Sequence, residues 1–166
     1  MKGCLKASVI ILLGLWLHAC ASTTEWKYQK DAIRLHVVSD PNLNLFGGTP
    51  HTLLLCMYHL RDPNAFNQAL DDKDGLVKLL ECSRFDPSVT YAKKVVVQPR
   101  QEVNESLDRA EGARYVAVVA GYSQLQKERV TRFYEIPVGG LSKDPQTLEI
   151  QLYLGPQEIQ EPRGKK

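Results

Sequence analysis

His51–Leu60 reads HTLLLCMYHL, and it is apolar at odd and even positions alike. A strand with that pattern needs cover on both faces: an opposing sheet on one side and an added element on the other. The cover follows at once. Arg61-Asp62-Pro63-Asn64 is a helix start, with Asp62 at the N-cap and Pro63 at the first helical position. Phe66 and Leu70 fall one turn apart, and beyond Asp74 the residues Leu76, Leu79 and Leu80 recur at helical spacing up to Cys82. Two short helices near 62–82 are therefore expected to lie against the outside of this strand.

The flanking segments are strands. Asp31–Val38 (DAIRLHVV) has period two, with Ile33, Leu35 and Val37 on one face and Arg34, His36 and Val38 on the other. Ser88–Gln98, Ala113–Gly121 and Val130–Val138 follow, the last carrying Pro137, which suits an edge or a strand end. Leu148–Leu154 (LEIQLYL) alternates cleanly, with Leu148, Ile150, Leu152 and Leu154 inward. The polar stretch Val103–Glu111 reads as a loop. Short strands separated by turns give a mostly β fold, a β-sandwich with a small inserted helical element. Its bounds are 31–155, with a polar tether at 20–30 before it and a flexible tail at 156–166 after it.

The first nineteen residues are a targeting segment and stay out of the fold. Lys2 and Lys6 form a basic start, and Ala7–Leu17 (ASVIILLGLWL) is an apolar run too short to span a bilayer. Leu17-His18-Ala19-Cys20-Ala21 resembles a lipobox, the cleavage and acylation signal of bacterial lipoproteins, with His18 where a small or apolar residue is usual. Cleavage before Cys20 would leave a lipid-bearing cysteine as the first residue; the alternative is an ordinary secretory signal cut near Ala19 or Ala21. Both routes export the chain. A lipobox cysteine resembles those that receive three acyl chains, and two or more anchor stably at about 0.8 kcal/mol per buried methylene. Ala21, in place of Asp, resembles a signal for sorting to the outer membrane. The formal charge of +2 resides in Lys2 and Lys6, so residues 20–166 are neutral and offer no electrostatic case for nucleic acid.

With Cys4 in the leader and Cys20 in the anchor, Cys56 and Cys82 remain. In an exported chain they either form a disulfide or stay as two buried thiols. Sites for chemistry are sparse. Asp72, Asp74, Gly75 and Glu81 fit part of a calcium-loop register, but Leu70 takes the first ligand position, so a solvated acidic turn is expected instead. His51 and His59 lie about 27 Å apart at strand rise. Zinc has no second ligand pair near Cys56 and Cys82. Glu102, Glu105, Asp108 and Glu111 read as surface carboxylates, and neither a nucleophile elbow nor a zinc-protease motif occurs. No metal, no cofactor other than the lipid and no small-molecule substrate is expected. The pattern points from enzyme to binding module.

One loop stands out. Ser39–Pro50 (SDPNLNLFGGTP) is broken by Pro41, Gly47, Gly48 and Pro50, yet it carries Leu43, Leu45 and Phe46. A loop of this length and apolar content is functional or folded back onto the core. The order LNLFGGTP (43–50), HTLLLCMYHL (51–60), DPNAFNQAL (62–70), GLVKLLEC (75–82), FDPSVTYAKKVVVQP (85–99), ARYVAVVAGY (113–122) and VTRFYEIPV (130–138), behind a lipobox, resembles the TssJ family. These are outer-membrane lipoproteins of the type VI secretion system. The resemblance implies a transthyretin-like sandwich anchored through Cys20 in the outer membrane and facing the periplasm. It also implies a partner, the periplasmic C-terminal part of TssM, an inner-membrane protein, gripped by the loop between the first two strands. Leu43, Leu45 and Phe46 would be the apolar anchors, Asn42 and Asn44 rim hydrogen-bonders, and Gly47 part of the same loop. Packing of Leu43 or Leu45 onto the sandwich itself is the alternative. A carrier or chaperone for a small apolar ligand is the rival function, and it requires an enclosed apolar pocket between the sheets.

Overall fold

The computed structural model describes residues 24–140 and 143–160. The leader, Cys20 and residues 161–166 lie outside the described residues. The elements run β1 (Gln29–Ser39), β2 (Leu53–Leu60), α1 (Asn64–Asp71), α2 (Gly75–Leu79), β3 (Val89–Val97), β4 (Glu102–Arg109), β5 (Tyr115–Ala120), α3 (Lys127–Val130), β6 (Thr131–Glu135), β7 (Leu148–Leu154) and β8 (Ile159–Gln160). They form two four-stranded sheets, ordered β4-β1-β7-β8 and β3-β2-β5-β6.

The period-two strands do what their patterns require. Ile33, Leu35 and Val37 of β1 and Leu148, Ile150, Leu152 and Leu154 of β7 face the other sheet and are buried. They meet Leu53, Leu55 and Met57 of β2 and Val116, Val118 and Ala120 of β5 in one cluster. The other face of β2 carries Cys56, Tyr58 and Leu60, which pack with Ala117 and Val119 of β5 and with Phe66, Ala69 and Leu79 of the helices. The doubly apolar strand is thus covered on both faces as expected. Cys56 and Cys82 form a disulfide across that second cluster, with Cα atoms 5.1 Å apart. Tyr58 donates its hydroxyl to the carbonyl of Leu79, satisfying a buried polar group at the same junction.

Five expectations are corrected. Val103–Glu111 is not a loop: residues 102–109 form β4, antiparallel to β1 from Ile33↔Leu107 to Val38↔Glu102. Its inward positions are Val103, Glu105, Leu107 and Arg109, so charge on the inner face hides the alternation. Glu105 is tolerated there because Lys93 of β3 reaches it from the opposite sheet at 2.5 Å, closing the open edge of the sandwich. The tail at 156–166 is not free from its start. Residues 159–160 form β8 against β7, and Ile159 is buried. The tether at 20–30 already contains the first two residues of β1 and the partly buried Trp26. Helix α1 begins at Asn64 with Pro63 flanking it; Asp62 Oδ1 accepts the Asn64 N–H at 3.1 Å, a shift of one residue. Val130, read as strand, ends the short helix α3.

His59 occupies the inner face of β2. It is fully buried, lies against the Tyr91 ring at 4.9 Å, and neither ring nitrogen has a hydrogen-bond partner among the described residues. Burial lowers its pKa from 6.5 to about 4. As pH falls, the unfolded chain therefore takes up the proton first. The stabilising contribution is complete above about pH 6.5 and declines towards pH 4, at a slope of up to about 1.4 kcal/mol per pH unit. Urea midpoints measured between pH 7 and 4 should fall with that slope, and His59→Phe should flatten the curve. An unchanged slope in His59→Phe would assign the acid sensitivity elsewhere.

Candidate functional site

Chain direction fixes where the loops lie. β1 runs from Gln29 to Ser39 and β2 returns from Leu53, so residues 40–52 cap one end of the sandwich. The connections 121–126 and 155–158 lie at the same end. The candidate loop is built into them rather than draped over them. Asp40 N–H donates to the Leu154 carbonyl at 2.8 Å and Leu45 N–H to the Pro156 carbonyl at 2.8 Å. Within the loop, Leu43 N–H donates to Asp40 O, His51 N–H to Leu43 O, and Asn42 N–H to Asp40 Oδ1 at 2.7 Å.

Leu43 is fully buried in the central cluster, with side chains from both sheets. As an apolar anchor for a partner it is therefore withdrawn: its side chain is already committed to the protein's own core. Asn44 is corrected in the same way. It is only 8% exposed, at φ 48, a left-handed conformation that asparagine tolerates. Its Nδ2 donates to the Thr52 carbonyl at 3.2 Å, and its Oδ1 accepts the Ser123 N–H at 2.9 Å. Asn44 is thus an internal brace rather than a rim hydrogen-bonder. Leu45 is half-buried, and Asn42 and Gly47 are exposed.

Phe46 is the outlier. It is 66% exposed, the highest value among the large apolar side chains of the described residues. It sits at the start of a four-residue hairpin in which Phe46 and Thr49 exchange both N–H···O bonds at 3.0 Å. Gly47 and Gly48 form the turn at φ 57 and 78. Two successive positive φ values are the type I′ condition that Gly-Gly meets without strain. The signal was therefore present in the sequence as Phe-Gly-Gly-Thr, but reading the glycines only as breakers missed it. His51 meets Phe46 edge to face at 6.4 Å, on one side of the ring. The result is an apolar knob on a hydrogen-bonded mount, with the N–H and C=O of Phe46 and Thr49 already paired. A crevice of about 290 Å³ opens at the loop's root, between Asp40, Pro41, Tyr153 and Gln160.

The remaining sequence candidates do not converge. Glu102 pairs with His36 at 3.1 Å on the exposed face of the first sheet, whereas Glu105 turns inward to Lys93. Asp108 accepts the Tyr28 hydroxyl and the Asp31 N–H, contacts that hold its carboxyl below the usual carboxylate range. No group of three metal-ligating side chains occurs among the described residues. The space between the sheets, where a carrier would hold its ligand, is occupied by the chain's own apolar side chains. A crevice of about 430 Å³ lies over the outer face of β4, β1 and β7, and its lining includes Arg34, His36, Asn104, Ser106, Glu149 and Gln151.

Solved structures share this fold. The lipoprotein TssJ1 of the type VI secretion system from Pseudomonas aeruginosa superposes with a TM-score of 0.59 at 20% identity, covering 81% of this chain and 93% of that one. Serratia marcescens Lip, a membrane-bound component of the type VI secretion system, gives 0.59 at 17% identity, covering 80% and 98%. A chain from a structure described as the T6SS protein TssM C-terminal domain from EAEC gives 0.58 at 16%, covering 77% and 94%. No curated protein matches by sequence. The sequence model of the type VI secretion lipoproteins, known as VasD, EvfM and TssJ, matches residues 31–156, from the third residue of β1 to the connection after β7. With the two-sheet fold and the match across most of its length, the chain belongs to the type VI secretion lipoprotein family.

Proposed function

We propose that the protein is held in the outer membrane by acyl chains on Cys20, faces the periplasm, and binds the periplasmic C-terminal part of TssM through loop 40–52. It thereby helps to assemble the membrane complex of type VI secretion. The observation that carries the reading is Phe46, exposed on a preformed hairpin at one end of the sandwich. Interfaces concentrate their energy in a few aromatic side chains that enter pockets, and a preorganised mount reduces the ordering cost of binding. Asn42, Leu45 and Gly47 are the neighbouring contacts of this reading; Leu43 and Asn44 hold the loop's shape. The family match supports the type VI assignment, and a similar chain occurs in a structure described as the type VI membrane complex.

Calorimetry of the soluble domain, residues 21–166, with the periplasmic part of TssM tests the proposal. Phe46→Ala is expected to weaken binding by at least about 30-fold, the loss of a hot spot of roughly 2 kcal/mol. The same change should leave the urea midpoint within about 0.5 kcal/mol of the parent, because the side chain is exposed. Unaltered affinity in Phe46→Ala would remove this loop tip from the interface.

A further inference from the structure

The segment after the anchor cysteine is tied to the sandwich at the end opposite loop 40–52. Trp26 packs on the central cluster and lies under two guanidinium groups, those of Arg109 and Arg114, each 5.9 Å from the ring. Its carbonyl accepts the Gly112 N–H at 2.7 Å. The next carbonyl, of Lys27, accepts Arg109 Nη2 at 3.1 Å. Tyr28 then donates its hydroxyl to Asp108. Three successive residues are thus held by the end of β4 and the turn that follows it.

Arg109 explains why the hold is firm. It is only 3% exposed, and its Nε and Nη1 have no hydrogen-bond partner among the described residues. The Lys27 carbonyl and the Trp26 ring face a buried cation, and withdrawing them would leave it with still fewer partners. The turn is shaped to match. Gly112 has φ 80, and a Cβ there would come within 2.8 Å of Arg61 Nε.

We infer that Trp26 straps the tether to the sandwich, so that the domain stands on the bilayer on its β4–β5 end and holds loop 40–52 away from the lipid. The inference rests on the acylation of Cys20 proposed above. Six residue steps separate Cys20 from Trp26, a reach of at most about 20 Å. β1 then carries the chain about 33 Å further to the loop. Without the strap the tether would lengthen by several residues, and the sandwich could tilt until the loop met the membrane that carries it.

The chain has two tryptophans, Trp16 in the leader and Trp26, so Trp26 alone reports from the mature protein. The acylated protein is placed in phosphatidylethanolamine–phosphatidylglycerol vesicles, with and without brominated acyl chains. Trp26 should emit at the same wavelength as in the soluble domain, residues 21–166, and be little quenched by the bromolipids. Strong bromolipid quenching would place Trp26 in the bilayer, and a red shift to the emission of a solvated indole would mean a released strap; either overturns the inference. Orientation is read by energy transfer from a reporter at the loop tip, Phe46→Trp, to dansyl headgroups. Transfer should be weak with Trp26→Phe, which keeps an aromatic strap, and rise severalfold with Trp26→Ala in protein whose circular dichroism is unchanged. Equal transfer in the two backgrounds contradicts the orientation. Failure of the wild-type protein to float with vesicles would instead remove the anchor and with it the orientation, while the emission of the soluble protein still decides whether Trp26 is clamped.

Discussion

Leu43→Ala is expected to lower the unfolding free energy by about 3 kcal/mol and the Tm by roughly 10 °C, although the residue lies in a surface loop. Its side chain is fully buried and touches the central cluster between the two sheets. Truncation removes apolar area from the core and leaves a cavity, because the Leu43 backbone is pinned to Asp40 and His51 by hydrogen bonds and cannot follow the shortened side chain inward. Urea denaturation at pH 7 measures the effect as a lower midpoint with an unchanged m value. The comparison with Phe46, three residues away, is the informative part. Phe46→Ala should remove binding and spare stability; Leu43→Ala should cost stability and affect binding only through the loop's shape. A Leu43→Ala protein as stable as its parent would mean that this side chain does not fill the core.

Loss of the Cys56–Cys82 bond is expected to cost about 3.5 kcal/mol, the loop-closure entropy for a separation of 26 residues. The bond spans α1, α2 and the outer face of β2, so the loss should be local at first. Tyr58, Phe66 and Leu79 would still pack, but the helical pair would open more often than the sheets, and amide exchange in residues 64–80 should quicken before that of β1 and β7. Denaturation of Cys56→Ala/Cys82→Ala against the oxidised parent measures the total. Equal stability of the two would show that the unfolded chain gains nothing from the cross-link. Affinity for a partner at loop 40–52 should be unchanged below the unfolding transition, since helices α1 and α2 follow the opposite end of β2.

The physical origin of these effects was only partly legible in the sequence. β1, β2 and β7 could be read because each carries a burial pattern that only a strand in this setting satisfies: strict alternation at Ile33–Val37 and Leu148–Leu154, and two apolar faces at Leu53–Leu60. β4 could not, because two of its inward positions, Glu105 and Arg109, carry charges whose partners are remote in sequence: Lys93 on the other sheet and the Trp26–Lys27 segment. The parallel pairing of β1 with β7 was equally hidden, since it joins strands from opposite ends of the chain and leaves no local pattern. At the site, length and apolar content pointed to the right loop, but which leucine faces inward depends on where the strand ends. Leu43 turns in and Phe46 turns out because Asp40 closes a turn just before Leu43, Asn44 takes a left-handed conformation braced to Thr52 and Ser123, and Gly47-Gly48 reverses the chain.

The central claim is that one chain couples a membrane to TssM. It is tested most directly by reconstitution: acylated protein on vesicles, mixed with the soluble periplasmic part of TssM and floated on a density gradient. The account predicts that the TssM fragment floats with vesicles carrying the wild-type protein. It should stay in the soluble fraction with Phe46→Ala vesicles, and also with the unacylated domain of residues 21–166, which still binds it in solution. A TssM fragment that floats equally with Phe46→Ala vesicles, or that never floats with the wild type, would contradict the account.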